Sequence, residues 1–348
     1  MRRVTVLAAA GGGVLAIVIG ATASHMIFSK SSTTAEAQAE LTTGTVAGRW
    51  PTPRADAIEP AATAAAPGVQ PPATQRAAEA VKPGASCNHP GALGVSRTVQ
   101  IDTTGGPGFG MLQYRDYDFL QPGEVVLSFD DGPWPVNTPA VLAALEAECL
   151  KAVFFPIGKH ASWHPAILKE VMAQGHTIGS HTWSHVNLGK KSTQEAKDEI
   201  EKGFSAIAIA IGRPPSPFFR FPQLRQTPEL KTYLGERNIA AFSIDVDSKD
   251  FAIREPDAVV TSIMTKLQKA GKGIILMHDF QHSTALALPQ VLQQLKAGGY
   301  KVVHVTAKDA VVTLPQYDSA VAALMPQAPA VNARATAGVV RTVSGATN

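Results

Sequence analysis

The feature that most constrains the fold is a regular alternation of strand-like and helix-like segments between residues 124 and 306. Apolar runs of strand length alternate there with segments that often begin at a helix-capping residue or an early proline. Sequential strand–helix units favour a parallel sheet covered by helices, because parallel strands need long crossover connections. Seven strands are predicted, at 125–129, 152–157, 176–180, 217–220, 239–244, 273–277 and 301–305.

Capping signals indicate where helices begin between these strands. Thr138-Pro139 and Thr227-Pro228 each place an N-cap residue before a proline at the first helical position. Residues 192–195 have the sequence of a capping box. We therefore predict an α/β fold with about seven parallel strands in a compact barrel, either closed or incomplete. Six helices are predicted, at 138–148, 165–174, 192–211, 228–237, 256–270 and 285–297.

The N-terminal residues have the pattern of an export signal. Arg2 and Arg3 precede residues 4–29, which contain no Asp, Glu, Lys or Arg. Residues 21–23 offer a small-x-small cleavage site, but the apolar run of ~20 residues is also long enough for an uncleaved membrane anchor. In either case, we expect residues 1–30 to place the remainder outside the cytoplasm, in the periplasm or the extracellular space, free or anchored to the inner membrane.

Composition separates a compact domain from its flanks. Residues 31–86 are rich in Ala, Thr and Pro and contain few large apolar side chains, so we predict a disordered linker. The compact domain is expected to cover residues 87–316. A flexible tail is expected at 317–348, although the apolar stretch 320–325 could form a short helix.

The chain has two cysteines, Cys87 and Cys149. Because an exported protein meets an oxidising compartment, a disulfide between them is the favoured interpretation. Two unrelated buried thiols are the alternative. The bridge would attach the otherwise loose segment 87–104 to the domain.

The charge of the chain gives no indication of a nucleic-acid partner. The formal net charge is only +3, and the basic residues are scattered. Hydrophobic residues make up 45% of the sequence, which is enough for a substantial core. The composition is therefore that of a folded domain, and it gives no support for a polyanion partner.

Two adjacent carboxylates, Asp130 and Asp131, follow the first predicted strand and precede a Gly-Pro turn. Enzymes with parallel α/β sheets keep their catalytic side chains at strand ends of this kind. We therefore interpret the pair as part of an active site.

Further polar residues follow the later strands. His181 and His185 would face the same way on a helical turn, where with a carboxylate they could hold one zinc, copper, iron or nickel ion. Arg220, Asp250 and His278 come after the fourth, fifth and sixth strands. Each of them also fits a structural role, as a surface ion pair, a turn residue or a packed histidine. Their common placement at one end of the sheet favours a site.

These residues resemble the five motifs of the NodB-homology polysaccharide deacetylases, carbohydrate esterase family 4. The resemblance covers residues 124–306, with the motifs in the family's order. The first two motifs are specific to the family. The last three are short, and they support the resemblance mainly because they occur in the family's order. The matching stretches are 128–132, 181–185, 220–222, 247–251 and 276–278.

The resemblance implies a distorted (β/α) barrel of the NodB type and a metal-dependent hydrolase of non-peptide carbon–nitrogen bonds. It implies that Asp131, His181 and His185 bind a divalent metal, usually zinc. Asp130 would be the general base, held in place by Arg220.

Four further roles follow from the same resemblance. His278 would be the general acid, and Asp250 would orient it and tune its pKa. Leu276 would line a pocket for the acetyl methyl group. A backbone N–H near Gln223 would help to stabilise the oxyanion.

The sequence departs from the family pattern at two positions. Phe251 stands where the fourth motif usually has Trp, and Gln223 stands where Tyr is common. Phe251 could keep an apolar wall, and any residue except proline offers a backbone N–H. We therefore expect the two changes to alter substrate preference rather than to abolish activity.

Large aromatic residues lie near several motifs and could stack on sugar rings. Core packing is nevertheless the expectation for each of them. They are Trp134, Trp163, Trp183 and Phe280.

The implied reaction removes N-acetyl groups from a glycan that contains N-acetylglucosamine and releases acetate. The partner would then be an N-acetylated glycan: peptidoglycan, chitin oligomers or an exopolysaccharide. One alternative is a metal-dependent carbohydrate O-acetyl esterase or non-sugar amidase that uses the same site. The other is a catalytically silent glycan-binding protein, against which the complete metal and acid/base motifs argue.

Overall fold

The computed structural model describes residues 89–325, and this part of the chain contains ten strands and eight α-helices. The strands are β1 Val95–Ile101, β2 Gly108–Phe109, β3 Glu124–Asp130, β4 Val153–Phe155, β5 Thr177–Ile178, β6 Phe218–Phe219, β7 Ala240–Phe242, β8 Val246–Asp247, β9 Gly273–His278 and β10 Lys301–Ala307. The helices are α1 Asn137–Ala147, α2 Gly158–Trp163, α3 Pro165–Ala173, α4 Thr193–Ile211, α5 Pro228–Glu236, α6 Pro256–Ala270, α7 His282–Ala297 and α8 Pro315–Ala322.

The strands form parallel sheets with β3 at the centre. β3 pairs with β9 along one side and with β10 and then β4 along the other. β8 pairs with β9, and β5 pairs with β4. A smaller sheet has the order β2-β7-β6, and a parallel bridge between Ser180 and Phe219 joins it to the end of β5.

Pairing therefore runs from β8 through β9, β3, β4, β5, β6 and β7 to β2. This is the strand order of a distorted barrel, in which no pairing between the terminal strands β2 and β8 closes the ring within residues 89–325. The predicted α/β class and parallel strands are confirmed. Each of the seven predicted strands and six predicted helices overlaps an observed element, but the strands at 176–180 and 217–220 are only two residues long.

The residues of β3 alternate between two apolar layers. Val125, Leu127 and Phe129 belong to the layer between the sheet and the helices. Val126 belongs to the layer inside the barrel. Because strand side chains alternate with a period of two, Asp130 shares the inward face with Val126. The sequence pattern therefore places one carboxylate of the pair inside the barrel.

Two of the three predicted capping devices are present. Ser192 and Glu195 form the capping box of α4, and Thr227 accepts a hydrogen bond from Leu230 N at the start of α5. The prediction for Thr138 was wrong, because α1 begins one residue earlier. The hydroxyl of Thr138 donates instead to the buried Asp279 carboxylate at 2.6 Å.

The segment 87–104, predicted to be loose without a disulfide, contains β1. Alternate residues of β1 are partly buried, and the strand pairs in parallel with β10. Arg97 also forms a double hydrogen bond with Glu124 at the start of β3. Pairing and this ion pair hold β1 in the fold.

The C-terminal helix α8 lies across the predicted start of the tail at residue 317. Tyr317 donates a hydrogen bond of 2.7 Å to Asp198 on α4, and Val321 is buried. The packed part of the chain therefore extends beyond 316. The short helix considered at 320–325 is displaced toward the N-terminus, because Pro315 sits at the first helical position.

Several predictions concern residues outside 89–325. They concern the export segment 1–30, the linker 31–86, most of the tail and Cys87, so the pairing of Cys87 with Cys149 stays a prediction. Among the helices of residues 89–325, none has the length and apolar character to cross a membrane.

Candidate active site

Asp130 and Asp131 lie at the carboxyl end of β3 and point to different partners. Asp130 is 2% exposed, and its Oδ1 accepts a 2.6 Å hydrogen bond from Arg220 Nη1. Asp131 has a φ of 73°, a left-handed conformation that is uncommon for a residue with a side chain. Strained backbone of this kind is found at functional sites.

Asp131 lies against two imidazoles. Its Oδ1 is 3.6 Å from His181 Nε2 and 3.4 Å from His185 Nε2. The two histidines were expected on a helical turn, but residues 181–185 form an irregular loop in which His185 has a φ of 58°. The hydroxyl of Thr182 accepts a hydrogen bond from His185 N at 3.0 Å, and this contact brings the second imidazole back toward the first.

The three side chains fit a metal ion. One ligand atom of each lies within 4.8 Å of the others, and no other such group includes Asp131 within the described residues. A tetrahedral zinc site with bonds of about 2.0–2.2 Å spaces its ligand atoms by roughly 3.3–3.6 Å. The buried Oδ1 of Asp131 has no hydrogen-bond partner within residues 89–325, so its lone pairs are available to a cation.

The protonation of His181 also suits metal binding. Its Nδ1 lies 2.7 Å from the carbonyl oxygen of Arg220, which can only accept, so Nδ1 carries the proton and Nε2 keeps its lone pair. Burial lowers the pKa of His181, although the nearby carboxylates of Asp130 and Asp131 oppose this effect. The imidazole is therefore held neutral, as a ligand must be.

Arg220 lies behind the carboxylates, fully buried inside the barrel. Nη1 also donates to Ser128 Oγ at 3.0 Å, and Nη2 donates to the carbonyl of Ser243 at 3.2 Å. The guanidinium lies 4.3 Å from the centre of the Phe155 ring. These contacts fix Arg220 in one position and leave its charge directed at Asp130.

His278 and Asp250 form a second pair at the end of β9. His278 Nδ1 lies 2.7 Å from Asp250 Oδ1, and the backbone N–H of His278 donates to Asp250 Oδ2 at 2.7 Å. Ser248 and Thr284 also donate to this carboxylate. His278 Nε2 faces the first pair, 3.9 Å from Asp131 Oδ2.

The environment keeps both members of this pair charged. Burial lowers the pKa of His278, but the hydrogen bond and charge of Asp250, with the charges of Asp131 and Asp130, outweigh burial and raise that pKa to about 9. Burial also raises the pKa of Asp250, yet the hydrogen bonds from His278, Thr284 and Ser248 lower it overall. His278 therefore carries a positive charge at neutral pH in the metal-free protein.

Seven of the nine predicted site residues line one cavity of about 500 Å³. Arg220 and Asp250 do not line it but are buried behind it, bonded to Asp130 and His278. Phe251 also lines the cavity, 55% exposed and with its ring centre 6.0 Å from that of His278. The seven residues are Asp130, Asp131, His181, His185, Gln223, Leu276 and His278.

Leu276 and Gln223 occupy different parts of this cavity wall. Leu276 is 7% exposed on β9, next to Asp247 of the neighbouring strand. Gln223 is exposed in a short 3-10 turn and has a φ of 55°. Its side-chain oxygen accepts a hydrogen bond from Asn187.

Sequence reasoning missed residues that support the site. The carboxylate of Asp279 accepts from Gly132 N at 3.0 Å and from Thr138 Oγ1, and it thereby anchors the turn that carries Asp131. Burial raises the pKa of Asp279 to about 7. Its position directly after His278 was the only available signal. Thr284, which lies just outside the helix predicted at 285–297, had no sequence signal that pointed to its contact with Asp250.

The aromatic residues near the motifs are not all core residues. Trp134 is 37% exposed and Trp163 is 52% exposed. The expectation of core packing was therefore wrong for both. Trp134 follows the Gly-Pro turn and Trp163 ends α2, so their rings lie at the surface beside the strand ends.

Known proteins share this sequence pattern. Residues 120–241 match the polysaccharide deacetylase family. A chitooligosaccharide deacetylase of Bradyrhizobium sp. is 31% identical over 166 residues, which are 47% of this chain and 75% of that protein. The chain belongs to the polysaccharide deacetylase family.

Two further relatives of this family extend the comparison. The peptidoglycan-N-acetylglucosamine deacetylase PgdA of Listeria monocytogenes is 34% identical over 187 residues, which are 52% of this chain but only 38% of that protein. The structure of a peptidoglycan deacetylase of Bdellovibrio bacteriovorus is similar, with a TM-score of 0.56 and 33% identity over 61% of this chain and 59% of that one. The fold is therefore that of the family.

Proposed function

We propose that the protein is a metal-dependent hydrolase that removes N-acetyl groups from glycans containing N-acetylglucosamine and releases acetate. The observation that carries this proposal is the cavity in which a three-residue metal-ligand group, a buried carboxylate and a charged imidazole face one another. Family membership supports the same reaction.

Asp131, His181 and His185 would hold the cation, for which two imidazoles and one carboxylate suit zinc. When bound, such an ion polarises a carbonyl oxygen and lowers the pKa of water from ~15.7 to ~7. Substrate would then approach from the side of this group that faces Asp130 and His278.

Asp130 is the proposed general base. Its Oδ1 is occupied by Arg220, while its Oδ2 lies 3.7 Å from His181 Nε2, beside the metal-ligand group. Asp130 would accept the proton of the attacking water as the water oxygen bonds to the acetyl carbon. Arg220 keeps the carboxylate in place for this transfer.

His278 is the proposed general acid. Asp250 engages Nδ1, so Nε2 is the nitrogen that faces the cavity. As the bond between the acetyl carbon and nitrogen breaks, His278 would donate its Nε2 proton to the leaving amine. The products are acetate and a free amino sugar.

Leu276 and Gln223 are proposed to receive the acetyl group. Leu276 offers an apolar wall for the methyl, and the backbone N–H near Gln223 would donate to the developing oxyanion. Phe251 supplies aromatic surface at the position where Trp is usual in the family.

The names of the relatives support N-acetylated glycans as the substrate class. One relative is named for peptidoglycan N-acetylglucosamine and another for chitooligosaccharides. A substrate outside the cytoplasm agrees with the proposed export of residues 87–316 behind the segment 1–30 and the linker 31–86.

The test is acetate release by the full chain, stripped of metal and then reloaded with zinc. We expect zinc-dependent release from N-acetylglucosamine oligomers or peptidoglycan. Acetylated xylan and small amides, assayed in parallel, identify the esterase or amidase if only they react. Absence of release from every substrate, with one equivalent of zinc bound, would leave the silent glycan-binding protein.

A further inference from the structure

A cluster of two exposed tryptophans and two half-buried histidines lies beside the catalytic cavity and outside its lining. We call it the aromatic patch, and it consists of Trp134, His160, Trp163 and His164. The ring centre of His160 lies 5.2 Å from that of Trp134 and 5.2 Å from that of Trp163. The ring of His164 lies 5.7 Å from that of Trp134.

The aromatic patch is connected directly to the metal-ligand group. His160 Nδ1 donates to the carbonyl oxygen of Asp131 at 2.5 Å. The start of α2 is also bound to the histidine loop, because Gly158 N donates to Thr182 O and Lys159 N donates to Trp183 O, both at 2.9 Å. The patch therefore has a fixed position relative to the reacting group.

Two half-exposed indoles this close to a catalytic cavity need an explanation. Packing in the core does not supply one, since Trp134 is 37% and Trp163 is 52% exposed. An indole has an electron-rich face that attracts weakly positive C–H groups, and it gains free energy when that face is removed from water. The axial C–H groups of a pyranose ring present such a surface, while its hydroxyl groups stay at the polar rim.

We propose that the aromatic patch is a glycan-binding subsite that holds a sugar unit neighbouring the one that is deacetylated. This inference rests on the proposed function and adds a preference for longer chains. A hexamer has more sugar units beyond the one held in the cavity than a dimer has, so it would gain more from the patch. The patch thus contributes to binding of the polymer and not to the chemistry at the acetyl group.

The test compares N-acetylglucosamine dimers and hexamers as substrates of the zinc-loaded full chain. We expect Trp163→Ala to lower the ratio of kcat/KM for the hexamer to kcat/KM for the dimer by about tenfold, mainly through KM. Trp163→Phe keeps a ring and should restore most of this ratio. Tyr117→Ala removes an aromatic side chain that is also 56% exposed but lies outside the cavity and the patch, and it should leave the ratio unchanged.

A binding measurement separates this inference from the proposed function. In the zinc-loaded Asp130→Asn background, which should not turn over, hexamer binding is followed by tryptophan fluorescence and calorimetry. We expect Trp163→Ala in that background to raise the hexamer Kd by about tenfold. Equal Kd values and an unchanged hexamer preference in both Trp134→Ala and Trp163→Ala would overturn the subsite, even if acetate release is intact. If the zinc-loaded wild type releases no acetate but Trp163→Ala raises the hexamer Kd in the Asp130→Asn background, the proposed hydrolase would be overturned and the subsite would stand.

Discussion

Arg220 and Asp130 form an ion pair of 2.6 Å in which the side chain of Arg220 is fully buried and that of Asp130 is 3% exposed. Charges at this depth lose their hydration, so a buried pair contributes little net stability, but the loss of one partner leaves the other uncompensated. The pair lies between the barrel core and the cavity. Its position indicates that the fold retains it to hold the proposed base.

Arg220→Met is expected to lower the free energy of unfolding by about 3–5 kcal/mol, because Asp130 would be left charged, buried and unpaired. Urea denaturation of the metal-free protein measures this change. The double variant Asp130→Asn with Arg220→Met should recover part of the loss, since it removes both charges. A single variant as stable as the wild type would show that water or another group satisfies Asp130.

Substitutions in the carboxylate pair should separate metal binding from turnover. Asp131→Ala and His181→Ala each remove a ligand, so both zinc content and activity should be lost. Asp130→Asn should retain one equivalent of zinc and lose turnover. Zinc content by elemental analysis, together with acetate release, provides the check. Intact activity with equal zinc in all three variants would refute the assignments.

His278→Ala removes the proposed proton donor without touching a metal ligand. We expect kcat to fall by ~10²–10⁴, the range typical of a lost general acid, while zinc remains bound. A substrate with a better leaving group should be affected less, because its departure needs less protonation. Full activity of the variant would exclude His278 from the mechanism.

Asp250 raises the pKa of His278, and the direction of this shift can be tested. In the metal-free protein the carboxylates raise the pKa of His278 to about 9, against the effect of burial. In Asp250→Asn the hydrogen bond to a charged acceptor and the charge of Asp250 are lost, so burial is opposed only by the charges of Asp131 and Asp130, and we expect the pKa of His278 to fall. NMR titration of the His278 ring measures this shift.

Both the catalytic rate and the stability of the fold should decrease as pH rises and His278 loses its proton. His278 is protonated below its pKa, so the rate of the zinc-loaded protein should decline as pH rises through the pKa that His278 has with zinc bound, and the decline should move to lower pH in Asp250→Asn. Because the folded pKa is raised, the pair stabilises the fold fully below about pH 6.5 and loses this contribution as pH rises through about 9. An unchanged alkaline limb in the variant would contradict the assignment of His278.

Structural elements could be predicted from the sequence where a local pattern was compatible with only one structure. The largely apolar run that becomes β3 predicted a buried strand, and the capping box at Ser192 predicted the start of α4. Seven of the nine predicted site residues met in one cavity, with Arg220 and Asp250 behind it, because parallel strands bring their carboxyl ends to one edge. These predictions needed no knowledge of distant contacts.

The failures occurred where tertiary partners decided between local alternatives. Thr138 had the sequence of an N-cap, but the buried carboxylate of Asp279 took its hydroxyl. The spacing of His181 and His185 suited a helical turn, yet the loop is held by Thr182 and by α2. Tertiary hydrogen bonds such as these produce no periodic pattern in the sequence, so the sequence does not predict them.

Gly203 offers a last test, since it links a helix to the metal-ligand loop. A Cβ at this position of α4 would lie 2.7 Å from the Thr182 carbonyl carbon and 2.7 Å from Ser180 Oγ. Thr182 lies between the two histidines and accepts the hydrogen bond from His185 N, so a shift of its backbone would separate His181 from His185.

Gly203→Ala should therefore weaken zinc binding by about 10-fold or more, as loss of a supporting contact does in other metal sites. Intrinsic helix propensity alone predicts the opposite benefit, a gain of about 1 kcal/mol in stability. Zinc affinity from chelator competition, measured beside thermal unfolding, distinguishes the two effects. Lys202→Ala, one residue earlier on α4, is the control and should leave zinc affinity unchanged. Wild-type affinity with a higher Tm in Gly203→Ala would show that the loop adapts to the extra methyl group.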